Sequence, residues 1–412
     1  MKKILSAILV LSLAASLISL LSSCGDSDTI TLNVYNWGEY ISDGSEGSLN
    51  INEEFEKYYF EKYGVKIDVN YTTYDSNESM YSKISKGGST YDVIIPSDYM
   101  IGKLIEDDLL YAFNPAETVE NYSHIRDEFK DLYFDPDNMY SVPYTYGKVG
   151  IIYNSTLVDE SDVADQSWAL MWNDKYSGKI LQFNNPRDAF GTAMYYLGID
   201  VNTTDKAQWQ QAADKLAEQK PLVQGYVMDE IFGKMTSASS AVSVYYAGDY
   251  LTMYLDNSDL RFYYPKEGTN VFVDSMCIPK NSENKEAAIE YINFLCSERI
   301  AVENAMYIGY ASPNDYVTNS AEYKAYLEEE FEGIDAYDLL YGSEDVKTSY
   351  FHTLDADMTD YTNSLWENLK IDNGSNAWVY IASGVIVVLI AGGIIYSGVK
   401  KKKRAKSYTK TK

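Results

Sequence analysis

Strands and helices alternate in the pattern of apolar and polar residues over the first hundred positions. Alternation at 29–34 and 65–71 predicts half-buried strands, and the unbroken apolar run at 92–95, which stops at Pro96, predicts a buried one. Helical spacing of apolar residues predicts helices between them, at 51–63 and around 80–84. This order predicts an α/β fold with an open, mainly parallel sheet covered by helices.

The same alternation restarts after Tyr146, without a detectable sequence repeat. Predicted strands lie at 149–153, 179–183, 241–246 and 271–278. Predicted helices lie at 168–173, 186–198, 206–219 and 288–295. The order of elements therefore predicts two α/β lobes. Lobe 1 covers 31–145 and is completed by about 275–318, and lobe 2 covers 146–274 and is completed by about 319–370.

The N-terminus has the pattern of a secretory signal. Lys2 and Lys3 precede an uncharged apolar run that ends in Leu21-Ser22-Ser23-Cys24-Gly25, which predicts a signal peptide over 1–23. Cys24 follows small residues as the lipidated cysteine of a bacterial lipobox does. We therefore expect a lipid anchor at Cys24 and a linker over 24–30. An ordinary signal peptide with an incidental cysteine is the alternative.

A second apolar segment lies near the C-terminus. Residues 377–399 carry no charge and are numerous enough to cross a bilayer. A basic run at 400–404 follows, and basic flanks stay on the cytoplasmic side. The sequence predicts a transmembrane helix over 377–399 and a basic cytoplasmic tail over 400–412, with the folded body outside the cell.

Charge separates the body from its two ends. Of the 34 Lys and Arg residues, ten lie at the ends and 24 in the body, which holds all 61 Asp and Glu, so its net charge is −37. Such a surface repels nucleic acid and attracts cations. For most of these acids, solubility alone is a sufficient explanation.

The residues that catalysis and metal binding need are scarce. The sequence lacks the nucleophile-elbow, zinc-protease and phosphate-loop motifs, and His124 and His352 are its only histidines, so we expect no cofactor and no metal. Cys277 and Cys296 are expected as buried thiols, with a disulfide left open. Paired carboxylates for glycoside hydrolysis stay open because acids are abundant.

Aromatic residues stand beside acids where two predicted strands end. Asn36-Trp37-Gly38-Glu39-Tyr40 follows the first strand, and Pro96-Ser97-Asp98-Tyr99 follows the third. In open α/β sheets, ligands bind beyond the carboxyl ends of the strands. A carboxylate with an aromatic face suits an ammonium group, since a cation–π contact contributes roughly 0.5 to 2 kcal/mol. Because the chain has 40 Tyr, one tyrosine alone means little.

A series of motifs in order resembles the spermidine/putrescine-binding proteins of bacterial ABC importers. The resemblance runs from about residue 32 to 369 and leaves out the C-terminal apolar segment. Its motifs are Asn36-Trp37-Gly38-Glu39-Tyr40-Ile41, Tyr91-Asp92-Val93-Ile94-Ile95-Pro96-Ser97-Asp98-Tyr99, Tyr140-Ser141-Val142-Pro143-Tyr144, Ser167-Trp168 with Trp172, Pro265-Lys266-Glu267-Gly268, Val273-Asp274-Ser275 and Ile308-Gly309-Tyr310-Ala311-Ser312-Pro313-Asn314.

The resemblance implies a two-lobed periplasmic-binding fold of type II, whose lobes close on a polyamine and present it to a permease. It implies two amine-binding acids, Asp274 at the centre and Asp188 where the family has a Glu. The other positions carried over as cleft residues are Trp37, Glu39, Tyr40, Ser97, Tyr99, Asn185, Tyr246, Phe272, Tyr310 and, by a loose alignment, His352. The implied partners are a cationic polyamine and the permease, while the lipid anchor and the C-terminal apolar segment predict the membrane as a further partner.

Departures from the family bear on the ligand. Asn185 stands where well-known members have Asp, and Tyr246 and Phe272 replace two Trp residues. The lost carboxylate favours putrescine, the shorter diamine, over spermidine. The alternatives are a binding protein for another solute such as a sugar or ferric iron, which the tandem Tyr245-Tyr246 would suit, a cell-surface hydrolase using paired acids, and a purely structural surface protein.

Overall fold

The computed structural model describes residues 29–88, 90–342 and 346–371. The strands are β1 (Ile30–Trp37), β2 (Ile67–Tyr74), β3 (Val93–Ile94), β4 (Ser141–Asn154), β5 (Ile180–Phe183), β6 (Val223–Val227), β7 (Val242–Tyr246), β8 (Leu260–Tyr263), β9 (Thr269–Cys277) and β10 (Thr348–Ser349).

The α-helices are α1 (Ile51–Tyr63), α2 (Asn77–Ser85), α3 (Asp98–Glu106), α4 (Pro115–Thr118), α5 (Glu160–Val163), α6 (Pro186–Leu197), α7 (Lys206–Gln219), α8 (Glu230–Thr236), α9 (Ala247–Asp256), α10 (Lys285–Leu295), α11 (Glu298–Ile308), α12 (Asp315–Asn319), α13 (Ala321–Glu330), α14 (Ala336–Tyr341) and α15 (Ala356–Lys370). Short 3-10 helices lie at Ser45–Gly47, Glu120–His124, Asp127–Phe129, Trp168–Trp172, Asp174–Tyr176 and Lys220–Leu222.

Two parallel groups of strands make up most of the sheet. In the first, β1 pairs with β2 and β3, and in the second, β5 pairs with β6 and β7. The long strands β4 and β9 join the groups; they run antiparallel to each other, and β9 runs antiparallel to β3 and β4 antiparallel to β7. The prediction of a mainly parallel sheet therefore holds within each group and is wrong for the strands between them.

Strand β4 lies between the two groups and pairs with a different strand along each half of its length. Its first half, Ser141 to Lys148, pairs with β9, and its second half, Val149 to Tyr153, pairs with β7. This arrangement fits the predicted two-lobed α/β fold, with β4 and β9 as the shared strands. The limits predicted for the two lobes stay a prediction.

Local signals set the helix ends that were predicted most closely. Helix α1 begins after Asn50, whose side chain accepts from the Glu53 amide, and ends at Gly64, whose φ of 70° suits glycine. Helix α6 starts with Pro186 after the cap Asn185. The segment predicted as a helix at 168–173 is a 3-10 turn, in which buried Trp168 donates to the Gly268 carbonyl at 2.8 Å.

Contacts group the chain into one unit through Thr359 and a second unit from Asp360, of which the structure describes the end of α15. In the described ranges, every helix is too short or too polar to cross a membrane. Within the described residues the predicted fold class is therefore corrected to the two-lobed α/β body, which contains no helix that could be the predicted transmembrane span. The segments predicted as signal peptide (1–23), lipidation site (Cys24), membrane helix (377–399) and tail (400–412) lie outside the described residues.

Candidate binding cleft

A cavity opens where β1, β3, β5 and β7 end at their carboxyl ends, as expected for an open α/β sheet. It encloses about 660 Å³, part of it open to solvent. Its lining comes from both strand groups and from the shared strand β9. The lining residues are Trp37, Gly38, Tyr40, Tyr74, Asp75, Asn77, Ser97, Asp98, Tyr99, Asn185, Asp188, Met228, Asp229, Tyr245, Tyr246, Asp249, Asn270, Phe272, Asp274, Tyr310 and Phe351.

The structure brings together all but two of the residues predicted for the site. Glu39 is exposed, with a φ of 49°, and lies outside the lining. His352 is also exposed outside it, with its ring 4.7 Å from that of Tyr133. Its neighbour Phe351 lines the cavity. The residues that do meet there are Trp37, Tyr40, Ser97, Tyr99, Asn185, Asp188, Tyr246, Phe272, Asp274 and Tyr310.

Three helices begin at the cavity and each carries an aspartate in its first turn. These are Asp98 on α3, Asp188 on α6 and Asp249 on α9. The N-terminal end of a helix has a positive potential and free amide groups, so it stabilises a nearby carboxylate. The fold thereby holds acids in a cavity that otherwise disfavours charge.

Asp188 lies at one end of the cavity and is 8% exposed. Its Oδ2 accepts from the Tyr246 hydroxyl at 2.7 Å and from Asn185 Nδ2 at 2.8 Å. Burial raises the pKa of Asp188 to about 7, and the Tyr246 hydrogen bond partly offsets that shift. Asn185 therefore serves twice, because its Oδ1 also accepts from the Arg187 amide at the start of α6.

Asp274 on β9 lies at the centre and is 4% exposed. Its Oδ2 accepts from the Tyr40 hydroxyl at 2.7 Å, and Tyr40 also hydrogen-bonds Thr145. Its Oδ1 is buried without a hydrogen-bond partner in good geometry among the described residues. Burial raises the pKa of Asp274 to about 6, offset in part by the Ser97 and Tyr40 hydroxyls. An unpartnered carboxylate oxygen in a cavity indicates a place for a hydrogen-bond donor of the ligand.

A second acidic end is formed by Asp249 and Asp229. Asp249 Oδ2 accepts from the Tyr310 hydroxyl at 2.6 Å, and burial raises its pKa to about 8. The pKa of Asp229 is raised to about 6, mainly by desolvation and also by the nearby charge of Glu39. A Cβ placed on Gly38 would lie 2.1 Å from Asp229 Oδ2, so any larger residue at this position would force this carboxylate to move.

Aromatic rings form the walls between the acids. Tyr246 and Phe272 meet edge to face at 5.2 Å, and the Phe272 and Tyr310 centroids lie 6.3 Å apart. Tyr310 in turn meets Tyr40 edge to face at 4.9 Å. The Trp37 and Tyr74 rings, which also line the cavity, lie 4.6 Å apart. Such rings shape the apolar parts of a ligand and attract cations to their faces.

The charge of the lining has one sign. It includes six aspartates, Asp75, Asp98, Asp188, Asp229, Asp249 and Asp274, and no Lys, Arg or His. Burial raises the pKa of Asp98 well above its usual range, and the charges of Asp274 and Asp188 raise it further. Carboxylates that are costly to ionise alone become favourable beside a cation. Several carboxylates in one lining therefore suit a ligand with more than one positive group. Among the described residues, no group of three His, Cys, Asp or Glu side chains could hold a metal ion.

The acids of the second end are what sequence reasoning missed. Asp249 follows β7, which the sequence pattern predicts, so the strand-end argument that selects Trp37 also applies to it. Asp229 follows β6, which the pattern does not predict as a strand, so the argument does not reach it. Asp98 stood inside a quoted motif but was not selected. For Asn77, Asn270 and Phe351 the sequence carries no such signal.

Comparison with known proteins places the chain in a family. Residues 51–329 match the family model described as "Bacterial extracellular solute-binding protein". Two relatives carry the name "Spermidine/putrescine-binding periplasmic protein". The one from Salmonella typhimurium is 33% identical over 305 residues, which is 73% of this chain and 83% of that protein. The one from Escherichia coli K12 is 32% identical over the same shares.

Solved structures agree with this result. A structure titled as a "Putative spermidine/putrescine ABC transporter" from Listeria monocytogenes superposes with a TM-score of 0.72 at 34% identity, covering 83% of this chain and 99% of the other. A spermidine/putrescine ABC transporter substrate-binding protein from Streptococcus pneumoniae gives a TM-score of 0.63 at 33% identity, again covering 83% and 99%. The similarity that the sequence motifs indicated is thus confirmed.

Proposed function

The chain belongs to the bacterial extracellular solute-binding proteins, and on that basis we propose that it binds a polyamine, putrescine or spermidine, and delivers it to an ABC import permease. The observation that carries the proposal is the set of six aspartates, without a basic residue, on a cavity walled by aromatic rings. A polyamine has ammonium groups spaced by methylene segments, so its charges and its apolar parts find complementary surfaces there.

The relatives support this choice of ligand. Their names include spermidine/putrescine-binding and putrescine-binding periplasmic proteins, the latter illustrated by a Pseudomonas aeruginosa protein that is 27% identical over 325 residues. The relatives are binding proteins, and this chain, which also lacks common catalytic motifs, is a binding protein and not an enzyme.

Each ammonium group has a proposed partner. One ammonium group would lie between Asp188 and Tyr246. A second would lie at Asp274, whose unpartnered Oδ1 would accept a hydrogen bond from it. Asp249 with Tyr310 provides a third position, which the sequence alone did not suggest. The methylene segments would pack against the rings of Trp37 and Phe272. Each charged hydrogen bond contributes roughly 1.5 to 3 kcal/mol.

Asn185 bears on the choice between the two polyamines. Its side-chain amide donates to Asp188, so this end keeps one carboxylate and positions it. We expect this to favour putrescine, which has two ammonium groups, over spermidine, which has three. An N185D variant that gains no spermidine affinity would contradict this expectation.

Ferric iron is the weaker alternative. Tyr245 and Tyr246 both line the cavity, but burial raises the pKa of both phenols well above the usual range. Iron binders of this kind need phenolates, so the environment disfavours them. A sugar would leave six aspartates without cationic partners.

The names of the relatives place them in the periplasm. We propose that this protein acts on the same, exported side of the membrane and that a lipid on Cys24 holds it there. Metabolic labelling with a tritiated fatty acid tests the anchor. Incorporation that persists in a C24A variant would overturn it.

Calorimetric titration of the purified chain with putrescine and then spermidine tests the ligand. We expect micromolar or tighter binding by at least one, weakened about 10- to 100-fold in D274A by loss of a charged contact. D214A is the matched control, because it removes an exposed Asp on α7 outside the lining. No binding by either amine would overturn the ligand and leave the family membership intact.

A further inference from the structure

Arg187 places a buried positive charge directly behind the wall of this negative cavity. It is the second residue of α6, next to Asp188, and is 5% exposed. Its guanidinium carbon lies 4.6 Å from the centroid of Phe351 and 5.9 Å from that of Tyr99, two rings that line the cavity. The same carbon lies 5.2 Å from the centroid of Trp209, which is outside the cavity lining. The guanidinium is therefore separated from the ligand space by one layer of aromatic rings.

The charge of Arg187 is not paired with a carboxylate in contact. Its Nη2 donates to Asn202 Oδ1 at 3.1 Å and to the His352 carbonyl at 3.2 Å, both neutral acceptors. Within the described ranges, the ion pairs shorter than 4 Å do not include it. Burial lowers the pKa of Arg187, but a guanidinium starts so high that it keeps its charge at neutral pH.

The position of this charge is fixed by packing. Phe351 is confined on its other side by Gly191, where an added Cβ would lie 2.9 Å from the ring. The Phe351 carbonyl accepts from the Tyr133 hydroxyl, and Tyr99 is held by hydrogen bonds to Asn77 and Glu78. The rings cannot swing aside without disturbing these contacts, so the wall and the charge behind it act as one rigid end.

We propose that Arg187 is a specificity-determining residue that sets the maximum length of the bound polyamine, an inference that rests on the proposed function. An ammonium group is attracted to Asp188 at this end, but a further ammonium beyond it would approach the fixed positive charge. Selectivity of this kind uses repulsion against the wrong ligand as well as attraction for the right one. Additional charges of a longer polyamine must instead lie toward Asp249 and Asp229.

Arg187 acts on the ligand through this potential and through Asp188. Its charge lowers the pKa of Asp188 and of the buried Glu78, which keeps Asp188 more ionised. Removing the charge has two consequences that a merely structural residue would not produce. The pKa of Asp188 would rise further, and the site would lose its discrimination by ligand charge.

The experiment compares dissociation constants for putrescine and the tetraamine spermine in the full chain and in R187M, R187Q and R187K. Met fits among aromatic rings without charge, Gln keeps a donor for Asn202, and Lys keeps the charge. Arg126 supplies the matched control R126M, because it also contacts two rings, Phe129 and Tyr146, but lies outside the cavity lining. Circular dichroism and thermal melting show which variants are folded.

We expect the ratio of the spermine to the putrescine dissociation constant to fall at least tenfold in R187M and R187Q, and to stay within about threefold of wild type in R187K and R126M. An unchanged ratio in a folded R187M or R187Q, while wild type binds putrescine, overturns the inference and leaves the proposed function intact. Wild-type protein that binds neither amine overturns the proposed function. An equal fall in R126M would assign the effect to net charge and also overturn the inference.

Discussion

Ligand binding should release protons, because the cavity acids have raised pKa values when no cation is bound. At pH 7, Asp188 with a pKa of about 7 is half protonated, and Asp249 with a pKa of about 8 is mostly protonated. Asp274, with a pKa of about 6, is mostly ionised. An ammonium group beside each carboxylate lowers its pKa and expels the proton. We therefore expect about one to two protons released per ligand at pH 7.

The protons released on binding come from these acids and not from the groups that face them. Asp188 is surrounded by Tyr246, Glu78, Asp274 and Arg187, of which Glu78 is also buried with a raised pKa. Asp249 is faced by Tyr310, Asp229 and Glu39. The amines of the ligand keep their charge below pH 8, as alkyl ammonium groups with pKa values near 10 do. The affinity should therefore fall about 10- to 100-fold between pH 7 and pH 6.

Calorimetry in two buffers with different ionisation enthalpies measures the proton count directly. The D249N variant provides the internal test, because its side chain can still accept from Tyr310 but no longer titrates. We expect its proton release at pH 7 to drop by about one. The assignment of raised pKa values to these carboxyl groups would be refuted if wild type released no protons at pH 7, or if its affinity did not change between pH 6 and pH 8.

The same acids predict how stability depends on pH. Their folded-state pKa values exceed the ordinary value of 3.8, so the folded chain without ligand holds more protons than the unfolded chain between about pH 4 and 8. Its melting temperature should fall over this range as pH rises through the folded pKa values, and putrescine should raise it more at pH 8 than at pH 5; an equal increase at both would contradict this. G38A should weaken binding at least tenfold, because the new Cβ would meet Asp229 Oδ2, while G233A, with open space around its Cβ, should not; equal affinities by titration would disprove the close approach. Cys277 and Cys296 are both buried free thiols, and burial raises the pKa of Cys296 to about 12. A thiol reagent should therefore react with neither cysteine in the native body and with both after denaturation. If neither reacts after denaturation, the two cysteines form a disulfide.

The elements predicted from the sequence are those whose ends carry local signals. The spacing of apolar residues predicts helix α1 to the residue, and the structure shows that its ends are set locally, by the Asn50 cap and by Gly64. The strand pairing could not be predicted in the same way, because β4 and β9 connect the two groups through contacts more than a hundred residues apart. The sequence does not predict the half of β4 over 141–148, where Pro143 and Gly147 weaken the strand pattern, and it does not predict the short strands β6, β8 and β10.

The contrast between Asp188 and Arg187 shows what the sequence could not decide at the site. Both follow Asn185-Pro186 in the first turn of α6, and their side chains point about 100° apart around the helix axis. Which one faces the ligand depends on which side of α6 the cavity lies, and that is set by rings from elsewhere, Tyr99 and Phe351, which cover Arg187. Family resemblance selects Asp188, which the structure places in the cavity lining, but only the packing shows that its neighbour places an opposite charge behind the same wall. A cavity that attracts cations along its length and repels them at one end would select its ligand by length. The ratio of the spermine to the putrescine dissociation constant in R187M decides whether this chain selects its ligand in that way.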